Sequence, residues 1–274
     1  MRLFFDKSLF LDQSWFFDRF VSVLRALPAL RAYSQPPAVH PGPHPIRPAL
    51  MIASLALAAL LAAPAAAQDR RQNAPGEFDF YVLSLSWSPS FCEAASERGN
   101  AGRSQQIQCG GRPYSFVVHG LWPQYERGFP NYCQHPSPRL DRNIVSSMLD
   151  LMPAPGLIFN EWDKHGTCSG VSARSYFETV RKARAAVKIP DDLLQLSEPK
   201  TIAPAELEEA FVKANPGLST SAIAVTCEGQ RLSEVRICLS KELQFRACEE
   251  IDRRACRRDK VTMPPVRASA GISG

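Results

Sequence analysis

Two short stretches concentrate side chains that can exchange protons. FNEWDKHGTC, residues 159–168, carries Glu161, Asp163, Lys164, His165 and Cys168 within two or three helical turns. FVVHGLWPQY, residues 116–125, sets His119 at the end of an apolar run, followed by Gly120 and Trp122. On a helix, Glu161 and His165 stand four apart and Lys164 three from Glu161, so all three project from one side. An imidazole titrates near 6.5, so around neutral pH one ring can be neutral while another is charged. One then removes a proton as the other donates one. Lys164 would offset negative charge as it builds in a transition state, and Glu161 would orient a ring or share a proton. The set suits phosphodiester transfer without a metal: one ring deprotonates an internal hydroxyl and the other protonates the leaving oxygen. Ordinary roles stay open at this point. A His after an apolar run is commonly a satisfied strand-end residue, Trp122 is commonly core, and a Glu/Lys pair at helical spacing is commonly surface decoration worth a few tenths of a kcal/mol. His135, in the loop CQHPSP, has no partner in the sequence and is read as structural.

The elements that must hold these groups lie late in the chain. Residues 51–63, MIASLALAALLAA, have the length of a signal-peptide core, with AAA at 65–67 as the small-residue cleavage site before Gln68. The run is shorter than the roughly 20 apolar residues a permanent membrane span needs. Arg47 alone supplies its positive flank. Residues 1–50 begin amphipathic and turn Pro-rich. They are read as an unassigned prefix, either an over-extended start or a long leader. That leaves residues 68–274 as one domain with enough chain for a real core. Residues 1–67 hold six of the 32 basic and three of the 27 acidic residues, so the remainder carries about +2. Net charge therefore does not argue for nucleic-acid binding, and the basic cluster RRACRRDK at 253–260 is read as a solvated loop. All eight cysteines, 92, 109, 133, 168, 227, 238, 248 and 256, follow residue 67. An even count behind a signal peptide reads as a disulfide framework in an oxidising compartment. After residue 67 no Cys-x-x-Cys or His-x-x-x-His spacing supports structural zinc. A cysteine hydrolase built on Cys168 conflicts with the even count.

Apolar and aromatic runs predict strands at 78–87 and at 113–122, the second breaking at Gly120. Helical spacing predicts helices at 143–152, at 160–169 closed near Gly170, at 173–187 and at 204–217. Three β-rich runs follow at 221–227, 232–240 and 241–248. Helices in the middle and strands at both ends predict an α+β fold, with a central antiparallel sheet flanked by helices in a single disulfide-stabilised domain.

HGLWPQ at 119–124 and EWDKHGTC at 161–168 resemble the two active-site segments of the ribonuclease T2 family. LSLSWSPSFC at 83–92 is similar to that family's first strand and first cysteine, and ICLSKELQFRAC at 237–248 to its late strand pair. The resemblance runs in order from about 80 to 250. It implies an extracytoplasmic, metal-independent endoribonuclease that needs no cofactor. Such an enzyme makes 2′,3′-cyclic phosphate ends from single-stranded RNA and then hydrolyses them to 3′-phosphates. His165 matches the general base toward the 2′-hydroxyl and His119 the general acid for the 5′-oxygen. Lys164 and Glu161 match the groups that stabilise the phosphorane, and Trp122 a base-stacking residue, which suits weak base preference. Because the 2′-hydroxyl is the nucleophile, DNA should bind uncut. Many members carry a third His directly before the Glu. Here that position is Asn160, which implies weaker substrate binding with the acid–base pair intact. The resemblance also implies the pairs Cys92–Cys109, Cys133–Cys168, Cys238–Cys248 and Cys227–Cys256. A secreted or periplasmic monomer without a permanent membrane span is expected. The alternative is a catalytically weak RNA-binding or signalling relative of the same fold.

Overall fold

The strand Phe80–Trp87 (β1) alternates cleanly, because strand side chains point to opposite faces in turn. Leu83, Leu85 and Trp87 enter the main core, whereas Val82 belongs to a smaller cluster on the other face. In the computed structural model, residues 72–99 and 103–266 are described. The prefix expected at 1–50 and the signal peptide expected at 51–67 lie outside the described residues.

β1 is the middle of the site-bearing half of a six-stranded sheet. On one side it pairs antiparallel with Phe116–Gln124 (β2), the edge strand, and on the other with Arg231–Leu239 (β5). β5 continues antiparallel to Ile223–Glu228 (β4) and touches Val261–Met263 (β6) in parallel at Arg231 and Thr262. β6 pairs in turn with Lys200–Ile202 (β3). The sheet is thus antiparallel except at that one parallel contact, which the sequence does not signal.

One sheet face carries the main core with Phe116, Val118 and Leu121 of β2 and Val235, Ile237 and Leu239 of β5. Helices cover it. Ala173–Ala185 (α5) contributes Tyr176, Phe177, Val180 and Ala183, and Pro204–Ala214 (α7) contributes Leu207 and Phe211. Between β1 and β2 run Ser88–Glu97 (α1) and Arg103–Gly110 (α2), both unanticipated from sequence. SPSFCEAASE is short and rich in small residues, so it shows little apolar periodicity. Asp191–Leu194 (α6) and Glu249–Arg253 (α8) are single turns.

Four predicted boundaries are corrected. β2 does not break at Gly120 but continues to Gln124. The helix expected over 143–152 is Arg142–Met148 (α3); Leu151 leaves it, and its carbonyl accepts the Val118 N–H of the edge strand at 2.9 Å. The helix expected over 160–169 is Pro155–Lys164 (α4), followed by a 3₁₀ turn over Gly166–Ser169 that Gly170 closes at φ +75°. Pro is tolerated in a helix's first turn, where no intrahelical N–H partner is required. The run 241–248 is not a strand: it makes one bridge, Phe245 to Leu239, and is held by the Cys238–Cys248 disulfide.

All eight cysteines are bonded, as Cys92–Cys109, Cys133–Cys168, Cys227–Cys256 and Cys238–Cys248. These are the pairs the resemblance implies. Cys168 has no thiol to act as a nucleophile, which removes the cysteine-hydrolase reading.

Candidate active site

His119 owes its direction to a β-bulge. Ser84 of β1 pairs with Gly120, but the next residue, Leu85, pairs with Val118, so His119 is the extra residue. An inserted residue reverses the alternation beyond it. His119 and Trp122, three apart, therefore both leave the main core, while Val118 and Leu121, also three apart, both enter it. Gly120 is required by crowding. A Cβ there would stand 1.9 Å from Glu161 Oε2 and 2.4 Å from Trp122 Nε1. The absent side chain lets α4 approach the edge strand.

On α4, Ile158 and Trp162 are buried in the core, four apart, and Glu161 follows on the neighbouring side. His165 is not inside the helix but caps it, with φ −118° and ψ −44°, and its N–H still donates to the Glu161 carbonyl at 3.0 Å. Gly166 lets the chain turn away here, since a Cβ would meet the Trp162 ring at 2.4 Å. The helix end is fastened from outside. Tyr132 N–H donates to the Lys164 carbonyl at 2.9 Å, and the adjacent Cys133 is bonded to Cys168.

Four of the predicted residues converge. The Trp122 indole N–H donates to Glu161 Oε2 at 2.7 Å, and His119 Nε2 lies 3.6 Å from Glu161 Oε1. The indole is flanked by both imidazoles, with ring centroids 5.3 Å from His119 and 5.4 Å from His165. Lys164 stands beside this group, its Nζ 6.0 Å from the Phe129 ring centre. Asn160 is exposed on α4, and among the described residues no hydrogen bond joins it to the cluster. Asp163 is turned elsewhere and accepts from Ser137 Oγ. His135 is exposed in its loop.

Three neighbours escaped the sequence reading. Glu234 on β5 meets His119 Nδ1 with one carboxylate oxygen, while the other accepts from Arg236 Nε at 2.9 Å and Nη2 at 2.7 Å. The Arg236 guanidinium lies 5.1 Å from the centre of the Trp122 ring. Phe129, 39% exposed, sits 6.3 Å from the His165 ring. A signal for the first pair existed: an acid and an Arg two apart share one face of a strand rich in apolar residues. Beside His119 opens a cavity of about 160 Å³ whose lining includes Ser86, Ser90, Phe91, Arg98 and Arg231.

The two rings are tuned in opposite directions. Burial works against charge on His119, but the Glu234 carboxylate, helped by Glu161, outweighs it and raises the pKa above its ordinary value despite Arg236. Burial drops His165 to about 3, and Lys164 and the His119 charge add to the shift. Its buried Nδ1 has no hydrogen-bond partner among the described residues. Burial pushes Glu161 up to about 7 against the pull of His119, Trp122 and Lys164. Burial opposes charge on Glu234 too, yet His119 and Arg236 hold it down at about 2. The arrangement favours charge on one ring and neutrality on the other, on either side of one indole, which is the kind of pair acid–base catalysis can use.

A family model described as the ribonuclease T2 family matches residues 78–248. A probable ribonuclease of Haemophilus influenzae is 32% identical over 186 residues, covering 65% of this chain and 64% of that protein. A ribonuclease of Aeromonas hydrophila is 39% identical over 118 residues, 43% of this chain and 50% of its own length. The matches thus span between half and about two thirds of those relatives. Among solved structures, an RNase-related protein from Calystegia sepium superposes with a TM-score of 0.57 at 22% identity, over 70% of this chain and 99% of that one. RNase NT, in its crystal structure with 5′-AMP, gives 0.52 at 23% identity over 69% and 99%. At these identities the likeness is one of fold.

Proposed function

The chain belongs to the ribonuclease T2 family, and on that premise we propose that it is an endoribonuclease that cleaves single-stranded RNA by transphosphorylation. Neutral His165 takes the proton of the 2′-hydroxyl, and the freed oxygen attacks phosphorus. Lys164 and Glu161 face the charge that builds on the phosphorane. His119 gives its Nε2 proton to the departing 5′-oxygen, which leaves a 2′,3′-cyclic phosphate. Water then opens the ring to a 3′-phosphate with the two histidines exchanging roles. The observation that carries this reading is the opposite charge preference of two imidazoles flanking one indole.

The Trp122 ring already meets Arg236 and His165. Phe129, near Lys164 and His165 but 39% exposed, offers a second aromatic face for a base beside Trp122, and stacking of that kind tolerates every base. DNA lacks the nucleophile and binds without being cut. The four disulfides support an oxidising, extracytoplasmic location, periplasmic or secreted, and among the described residues no helix is long and apolar enough to cross a membrane. The protein acts as a monomer and needs neither metal nor cofactor.

The test is incubation with single-stranded RNA in EDTA, followed by analysis of the product ends. Cyclic-phosphate ends that give way to 3′-phosphates, with single-stranded DNA intact under the same conditions, are the expected result. Loss of cleavage on chelation, or 5′-phosphate ends, would reject the mechanism. RNA retained on the protein but left uncut would favour a binding relative.

A further inference from the structure

Glu234 lies outside both active-site segments, 115 residues from His119, yet its carboxylate is buried against the His119 ring. The contact spans three strands. β1 runs between β2 and β5, and opposite Arg236 and Glu234 it carries only Ser84 and Ser86. Two small side chains leave the His119 ring room to cross β1 and reach β5. Ser86 Oγ adds a 3.4 Å hydrogen bond to the same Glu234 oxygen, and the Arg236 fork fixes the other.

We propose that Glu234, clamped by Arg236, is a positioning residue that sets the tautomer and the charge of His119. This rests on the reading of His119 as the general acid. With Nδ1 committed to Glu234, Nε2 is the nitrogen left to face substrate, and it already points toward Glu161 Oε1 at 3.6 Å. When Nε2 gives its proton to the 5′-oxygen, the P–O5′ bond breaks and the ring is left neutral with its hydrogen on Nδ1. That is the tautomer a carboxylate at Nδ1 stabilises. Glu234 itself stays ionised throughout, since Arg236 holds its second oxygen. The other charged groups around the ring are Glu161, which favours the imidazolium, and Arg236, which opposes it, with Lys164 and His165 at the end of α4 and Arg98, Glu228 and Arg231 across the cavity beside the ring. The direct carboxylate contact decides the balance.

The experiment compares leaving groups. Glu234→Gln keeps the size and an acceptor oxygen but removes the charge. kcat/KM is measured against pH on a dinucleoside monophosphate, whose alkoxide needs a proton to leave, and on a 4-nitrophenyl ester of a nucleoside 3′-phosphate, whose phenolate does not. The expected result is a loss on the order of 10²-fold on the dinucleotide. The alkaline limb of the profile should move to lower pH, because the His119 ring loses its proton sooner. The aryl ester should change by less than about threefold, as an acid-catalysis defect predicts. Glu234→Asp, which retains the charge, should keep the alkaline limb closer to the original. An equal loss on both substrates would mean that Glu234 only supports packing and would overturn the proposal, as would an unchanged profile. If Glu234→Gln does not fold, Arg236→Lys, which opens the fork while keeping the charge, should show the same substrate selectivity at smaller scale, and equal effects on both substrates would again overturn it. A native protein that cuts neither substrate sinks the ribonuclease reading. A native protein that is active while Glu234→Gln is insensitive sinks this inference alone.

Discussion

His119 sits on a strand and meets two carboxylates; His165 closes a helix and, among the described residues, meets none. Both rings touch the same indole, so the contrast lies in what else surrounds them. Around His119 the protein places Glu234 and Glu161, and the charged ring is favoured even though burial opposes it. Around His165 it places Lys164 and a buried turn, with no partner for the ring Nδ1 among the described residues, and the neutral ring wins. One residue type is favoured charged on one side of the site and neutral on the other because fixed neighbouring charge exceeds desolvation in the first place and reinforces it in the second.

The strongest way to break the contrast is to remove one ring at a time. His119→Ala and His165→Ala should each lower kcat on RNA by roughly 10²- to 10⁴-fold, with little change in melting temperature. On the aryl ester only His165→Ala should remain severe, because that leaving group does not need the acid. Equal defects on both substrates for the two variants would mean that the rings do not divide the work.

The two regions are also held by different means. The His165 end of α4 is fastened by Cys133–Cys168, whereas Cys227–Cys256 ties β4 to the chain beyond α8. The closed loops are similar, at 35 and 29 residues, so removing either bond should cost a comparable amount, about 4 kcal/mol by loop-closure entropy. Activity should separate them. At a temperature where both double Ala variants remain folded, loss of Cys133–Cys168 should reduce kcat, because His165 and Lys164 lose their anchor. Loss of Cys227–Cys256 should leave kcat near the native value. Unfolding curves and single-temperature kinetics on the two variants check this.

A smaller effect concerns stability against pH. In the unfolded chain the His165 ring protonates below about 6.5, whereas in the fold it stays neutral down to about 3. Between these values the unfolded state binds the extra proton, so this residue makes the fold less stable as pH falls. His165→Phe removes that term. Between pH 7 and pH 4.5 its stability should fall by about 2 to 3 kcal/mol less than that of the native protein. His119 has the opposite sign: its raised pKa supports the fold below 6.5 and the support fades as pH rises through the folded value. Parallel denaturation curves for the native protein and His165→Phe would expose the difference, and identical pH slopes would place His165 in water rather than in a buried turn.

How far the sequence reveals these surroundings differs between the two rings. Glu161, Lys164 and His165 are neighbours through local helical spacing, so their grouping is readable from EWDKHGTC even though the helix starts at Pro155 and stops at Lys164. β1 and β2 are readable from their aromatic and β-branched runs. The bulge at His119 is not, because it depends on how two strands register against each other rather than on either alone. Glu234 is half hidden for the same reason: its spacing to Arg236 in LSEVRICLS marks one polar strand face, but its contact with His119 needs three strands aligned. Short β3 and β6 exist through pairing with each other and carry no pattern long enough to detect. Local grouping is visible in the sequence, and the non-local electrostatics that sets the charge preference of each ring is not.

The smallest expected effect lies just outside both regions. Asn160 precedes Glu161 on α4 but is exposed, and no hydrogen bond among the described residues ties it to the cluster. It can donate to a phosphate oxygen but carries no charge, whereas a His there would add a titratable cation at the rim. Asn160→His should therefore strengthen substrate binding without altering the groups that move protons. KM for RNA should fall by a fewfold, corresponding to well under about 1.4 kcal/mol, with kcat nearly constant. The gain should shrink as salt rises, because exposed charge is screened. If kcat rose and KM held, the added ring would be acting on the transition state, and the division of labour between His119 and His165 would have to admit a third participant.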